Sequence, residues 1–252
     1  QRHGRCPMSP RRFLLLARQD FAQSLKRPLH WFLALILVLT LWGLSSGVMR
    51  ISSGDSSVGG AKAFITSEFA QSQMWCFLSI LYYGFFVAVA AGLAPIRDED
   101  WKVSPLLHAT PLTPGEYVWG RFTGVLTGFF WVALLHIGAA SLLNHQLAPA
   151  EAAELIGPWS GMNYLKPFLV FGLPWLIFVA GTSFWAGVRF KKPVMAFLLP
   201  VVALFVCAFF LWDWSPSWLS NRWNEVLMIL DPSGFLWLNE THLKLDRGAA
   251  FY

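Results

Sequence analysis

The chain has 252 residues, 56% of them hydrophobic and 13% charged, where an ordinary soluble domain carries about a quarter charged residues. Its 19 Lys and Arg against 14 Asp and Glu give a net charge of +5, but these charges flank apolar runs and form no separate basic face for nucleic acid. Cys6, Cys76 and Cys207 are too few and too scattered for a disulfide framework.

Residues 1–28 come first. Phe13, Leu14, Leu16, Ala17, Phe21 and Leu25 recur at helical spacing, while Arg11, Arg12, Arg18, Asp20, Gln23 and Lys26 take the other positions. This pattern predicts an amphipathic helix in the headgroup plane, serving as a lipid anchor or as a docking surface for a partner. Pro28 then permits a turn into the membrane.

A bilayer core of about 30 Å requires roughly 20 apolar helical residues. Five stretches reach that length: Leu29–Met49, Met74–Ala94, Phe122–Leu143, Phe168–Val188 and Val194–Trp212. In the first, ten of the nineteen residues from Trp31 to Met49 are Leu, Ile, Val or Phe. None of the five contains Lys, Arg, Asp or Glu, each of which costs about 2.5 to 3.5 kcal/mol at mid-membrane. The first run begins near Leu29 and is long enough to span, so it reads as a span and not as a cleavable signal. The expected fold is therefore all-α: a polytopic transmembrane bundle over 29–212, preceded by the interfacial helix and followed by an extracytoplasmic tail, 213–252. That tail contains Trp214, Trp218, Trp223 and Trp237, residues that favour the membrane–water interface. An Asn239-Glu240-Thr241 glycosylation match within it is too short to weigh.

Cytoplasmic loops retain Lys and Arg. Arg2, Arg5, Arg11, Arg12, Arg18, Lys26 and Arg27 precede the first span, Arg97, Lys102 and Arg121 lie between the second and third, and Arg189, Lys191 and Lys192 lie between the fourth and fifth. The opposite side holds only Arg50, Lys62, Lys166, Arg222, Lys244 and Arg247. The N-terminus is expected to be cytoplasmic, in a bacterial inner membrane.

The 96–121 connection is the most informative stretch for function. It contains an acidic cluster (Asp98, Glu99, Asp100), a Leu pair (Leu106, Leu107), a Thr-Pro break (Thr110, Pro111), and Glu116 to Arg121 returning to the membrane. Thr113 followed by Pro114 is a strong helix start. In order, Arg97, Asp98, Leu106, Leu107, Thr110, Pro111, Leu112, Thr113, Tyr117, Gly120 and Arg121 resemble the segment after the second span of type-2 ATP-binding-cassette (ABC) transporter permeases, with Arg121 where many relatives have Lys.

The resemblance implies an exporter permease. The amphipathic helix and the coupling residues Arg97, Asp98, Glu99, Asp100, Leu106, Leu107, Thr110, Pro111 and Arg121 would dock on a cytoplasmic ATPase, and a second permease half would complete the substrate path. A sixth span would follow Tyr252. The chain has no Gly-x-x-x-x-Gly-Lys-Ser/Thr loop, so the ATPase would come from another chain or a missing region, and it has no His-Glu-x-x-His pair. No cofactor or metal is expected. The alternative is a non-transporting membrane scaffold. An integral-membrane enzyme is weaker, because Asp213, Glu225 and Asp231 are scattered.

His136 stands squarely within the third span and invites a functional reading, either as an interhelical hydrogen bond or as a substrate contact. Tyr82 and Tyr83 are further path-lining candidates. Gly124 and Gly128 read as sites of close packing.

Overall fold

The computed structural model describes residues 9–46, 52–53, 56–57, 65–100, 112–147 and 156–206, with scattered positions (220, 222–223, 226, 229, 231, 233–235 and 237–238) beyond them. The fold is helical. Helix α1 is Pro10–Lys26, α2 is Pro28–Ser45, α3 is Glu68–Leu78 and α4 is Gly84–Asp100. Helix α5 is Pro114–His145, α6 is Met162–Pro167, α7 is Leu173–Phe190 and α8 is Pro193–Val206. Two wide π turns, Ser79–Tyr83 and Phe168–Gly172, join α3 to α4 and α6 to α7 without breaking the helical path. The only strand pairing among the described residues is a two-residue antiparallel match, Ser52 with Ser57 and Ser53 with Ser56.

Four helical stretches are long and apolar enough to cross a membrane: Pro28–Ser45, Glu68–Asp98, Pro114–His145 and Met162–Phe190. They exceed the apolar runs of the sequence at several ends because polar residues continue the helix. Gln71, Ser72 and Gln73 lie in α3 and are buried. The fifth expected span is helical over Pro193–Val206, 14 residues, which at about 1.5 Å per residue is about 21 Å. Residues 207–212 lie outside the described residues, as do most of the Trp-rich tail and Asn239-Glu240-Thr241.

The stretch Glu68–Asp98 is the most buried of the four. Helix α4 packs along α7 and α8, α5 packs along α1 and α2, and α3 packs on α6. Gly187 in α7 makes the α4 contact possible: a Cβ there would run into the Gly92 carbonyl oxygen and come within 3.0 Å of Pro95 Cγ. Helix α7 ends at Lys191, which adopts the left-handed conformation (φ 53°) and donates its N–H to Gly187 O at 3.0 Å. Pro193 then starts α8. Leu33, Leu37, Trp75, Tyr83, Phe129, Phe168, Trp175 and Leu176 form the centre of the core. Trp31, Leu35, Val38 and Trp42 of α2 face outward, which suits a lipid-facing surface.

Helix α1 departs from its sequence pattern. Its buried positions are Ala17, Asp20 and Ser24, whereas Leu14 and Leu15 are exposed. Periodicity places Asp20 on the outward polar face; the structure turns it toward α5. The reason is steric and electrostatic at once: α5 presents glycine where α1 approaches, and an arginine where Asp20 arrives.

Candidate functional site

The site is built at the end of the bundle where α1, α4 and α5 meet. Thr113 caps α5 and Pro114 follows at the first helical position, as the sequence predicts. Thr113 Oγ1 accepts the Glu116 N–H at 3.3 Å, and Glu116 Oε2 accepts the Thr113 N–H at 2.8 Å, a reciprocal capping box. The other carboxylate oxygen of Glu116 accepts from the Ser9 N–H and, at 3.1 Å, from Arg12 Nε. One side chain thus fastens the start of α1 to the start of α5.

Beyond it, α1 lies against three glycines spaced one turn apart. A Cβ on Gly120 would stand 2.6 Å from Leu16 Cδ2. One on Gly124 would overlap Asp20 and stand 2.9 Å from the Ala17 carbonyl oxygen, and one on Gly128 would stand 2.9 Å from Ser24 Cβ. Without side chains at these positions, the backbones approach closely enough for Asp20 to reach Arg121.

Arg121 makes the central contact. Its Nη1 donates to Asp20 Oδ1 and its Nη2 donates to Asp98 Oδ1 at 2.6 Å. Tyr117, one turn earlier on α5, donates its hydroxyl to Asp98 Oδ2. One guanidinium therefore holds carboxylates from α1 and α4 together, and all three side chains are largely buried. Charge-assisted bonds of this kind are the strong ones. Asp20 still feels its enclosure: burial pushes its carboxyl above the ordinary aspartate range, outweighing the opposing pull of Arg121.

The sequence-derived coupling residues divide accordingly. Arg97 and Asp98 stand in the last turns of α4, and Asp98 is buried. Asp98, read from the sequence as part of an acidic cluster in the connection, is instead helical and turned inward: the helix runs on past the apolar residues, and Arg121 draws the carboxylate in. Glu99 and Asp100 belong to α4 by backbone, with side chains outside the described residues. Leu106, Leu107, Thr110 and Pro111 lie outside the described residues. Sequence reasoning names Tyr117 only within the resemblance and Glu116 only as the start of the return to the membrane, and gives Asp20 no part in the site. Thr113-x-x-Glu116 is a legible capping-box signature, whereas nothing local marks Asp20.

A second polar group sits deeper in the bundle. His136 Nδ1 and the Tyr83 hydroxyl are hydrogen-bonded at 3.2 Å. Trp75 lies against His136 with ring centroids 4.3 Å apart, and against Tyr83 and Phe168 at 5.6 and 5.1 Å. Tyr83 belongs to the first π turn, a backbone feature that often marks functional sites. Tyr82 accepts from Thr40 Oγ1 at 3.2 Å, linking α2 to the same turn. The structure thus joins His136 to Tyr83 and directs Tyr82 to a different helix. His30, at the start of α2, is buried against Phe129 with centroids 4.5 Å apart. Among the described residues, no three His, Cys, Asp or Glu side chains converge as a metal site requires.

No family model and no curated protein matches the chain.

Proposed function

We propose that the chain is the membrane-spanning permease half of an ABC-type exporter, with five spans, the N-terminus in the cytoplasm of a bacterial cell, and α1 at the inner headgroup plane. A cytoplasmic ATPase would drive it, and a second permease half would face it. The supporting observation is the bridge from Arg121 to Asp20 and Asp98. It makes the N-terminal helix and both ends of the 97–121 connection a single body, as a docking platform for a force-generating partner requires. The approach of Gly187 to Gly92 and Pro95 brings the Arg189–Lys192 turn toward the same end. The connections richest in Lys and Arg therefore gather together, in agreement with a cytoplasmic assignment. Across the bundle, Lys166 pairs with Glu68 at 2.7 Å.

Orientation is tested by cysteine labelling. An impermeant reagent is expected to modify a cysteine placed at Ser57 or Ser160 and to spare one at Ser104; modification at Ser104 would invert the topology.

Coupling is tested on the complex purified from its native membrane. A chain bearing a phosphate-binding loop is expected to co-purify and to hydrolyse ATP. The double charge reversal Glu99→Lys with Asp100→Lys is expected to release that chain or abolish substrate-stimulated hydrolysis, while melting stays unchanged. Asp98 is unsuitable for this reversal, because a lysine there would meet Arg121 in a buried site. Large partners retained without any nucleotide dependence would support the scaffold reading instead.

A further inference from the structure

The seam where α1 and α2 rest on α5 holds two buried polar side chains that take no part in the Arg121 bridge. Ser24 lies on the buried face of α1, and His30 stands in the first turn of α2. Each is only 1% exposed. Among the described residues, the Ser24 hydroxyl and both ring nitrogens of His30 have no hydrogen-bond partner. The two side chains meet at Gly128: the position of a Cβ on that residue lies 3.3 Å from Ser24 Oγ and 3.1 Å from His30 Nε2. Both polar atoms thus stand a hydrogen-bond length from one point, so a single small molecule bonded to each can span the gap between them. Phe129 covers a face of the imidazole, with centroids 4.5 Å apart, and leaves the nitrogens on the ring edge to find partners elsewhere. Leaving such groups dry is costly, because neither keeps the hydrogen bonds it makes to water in the unfolded chain.

We propose that an internal water molecule is bound between Ser24 Oγ and His30 Nε2, beside Gly128, as a fixed part of the fold. Water suits this pair because it donates to one atom and accepts from the other, in whichever tautomer His30 adopts. Buried waters of this kind are integral to folded proteins and sit where polar groups lack protein partners. The site lies at an elbow. Helix α1 ends at Lys26, Arg27 runs extended (φ −83°, ψ 135°), and α2 begins at Pro28. On the exposed side of that elbow the Trp31 indole donates to the Leu25 carbonyl oxygen at 2.7 Å. The water fastens the buried side, tying α1 to α2 where both rest on α5. The angle at which α1 leaves the first membrane-capable helix is then held from both sides. This role does not depend on what, if anything, the protein transports.

The first test is pulsed X-ray footprinting of the full chain in detergent, in which a bound water is split to hydroxyl radical and oxidises the side chains beside it. Phe129 is expected to be oxidised several-fold faster than Phe184, a buried phenylalanine on α7. A Phe129 rate no higher than that of Phe184 would overturn the proposal. The second test is a melting cycle on Ser24→Ala, His30→Leu and the double variant. Each single substitution is expected to lower the Tm by about 3 to 6 °C, since it leaves the other polar atom without its bridge. The double variant is expected to melt no lower than the worse single, because both substitutions remove the same link. Additive losses, no change, or a rise in Tm on either substitution would mean a dry, unlinked pair and would equally overturn it. Where a variant does not fold, the footprinting of the unsubstituted chain decides alone.

Discussion

Arg121→Met is expected to be the most damaging single substitution at this end of the bundle, lowering stability by about 3 to 5 kcal/mol, the usual cost of removing one partner from a buried ion pair. Asp20 and Asp98 are both buried and both depend on this guanidinium. Without it, two carboxylates from different helices remain in one enclosed space with like charge. Asp98 keeps the Tyr117 hydroxyl, but among the described residues Asp20 has no comparable second donor and its Oδ2 has no partner. The loss is therefore expected to loosen α1 before α4. A triple variant, Arg121→Met with Asp20→Asn and Asp98→Asn, is expected to recover most of the stability, because the desolvation cost disappears together with the attraction. Thermal melting in detergent checks both statements. A single variant that melts like a substitution at exposed Arg18 would show that the bridge contributes little.

The second large effect concerns space and not charge. Gly124→Leu is expected to cost about 3 kcal/mol or more, at the upper end for overpacking. A Cβ at this position meets the Ala17 carbonyl oxygen at 2.9 Å, and backbone cannot move aside as a side-chain tip can. Helix α1 would have to lift away from α5, drawing Asp20 off Arg121. For that reason Gly124→Leu and Arg121→Met are expected to be strongly non-additive, since either one already breaks the same contact. The control lies on the same helix: a Cβ added at Gly138 would meet nothing within 4 Å, and Gly138→Leu is expected to be close to neutral. Equal destabilisation by the two leucines would show that the glycines matter for helix flexibility and not for close approach.

Much of this arrangement is legible in the sequence, for reasons specific to each element. The first four membrane-capable stretches follow from uninterrupted apolar length, since no other environment tolerates so few charges over so many residues. The start of α5 is written in Thr113-Pro114-Gly115-Glu116, where cap, ring and carboxylate are all local. Asp98 and Arg121 are both visible as candidates, although their direct pairing is not. Helix α1 is legible as a helix yet misleading as to its faces, because periodicity sorts Asp20 with the polar residues and cannot tell which polar residue finds a buried partner 101 positions away.

The sequence alone determines that this chain is helical and membrane-adapted, where its first four long apolar segments run, and how α5 begins, because those properties depend on residues within a few turns of one another. Only the tertiary structure decides which side of α1 faces inward, that Arg121 serves two helices, and that His136 pairs with Tyr83. Those outcomes depend on distances between segments remote in the chain. They are set by how closely Gly120, Gly124 and Gly128 allow two backbones to approach, and by the need of each buried charge to find an opposite one.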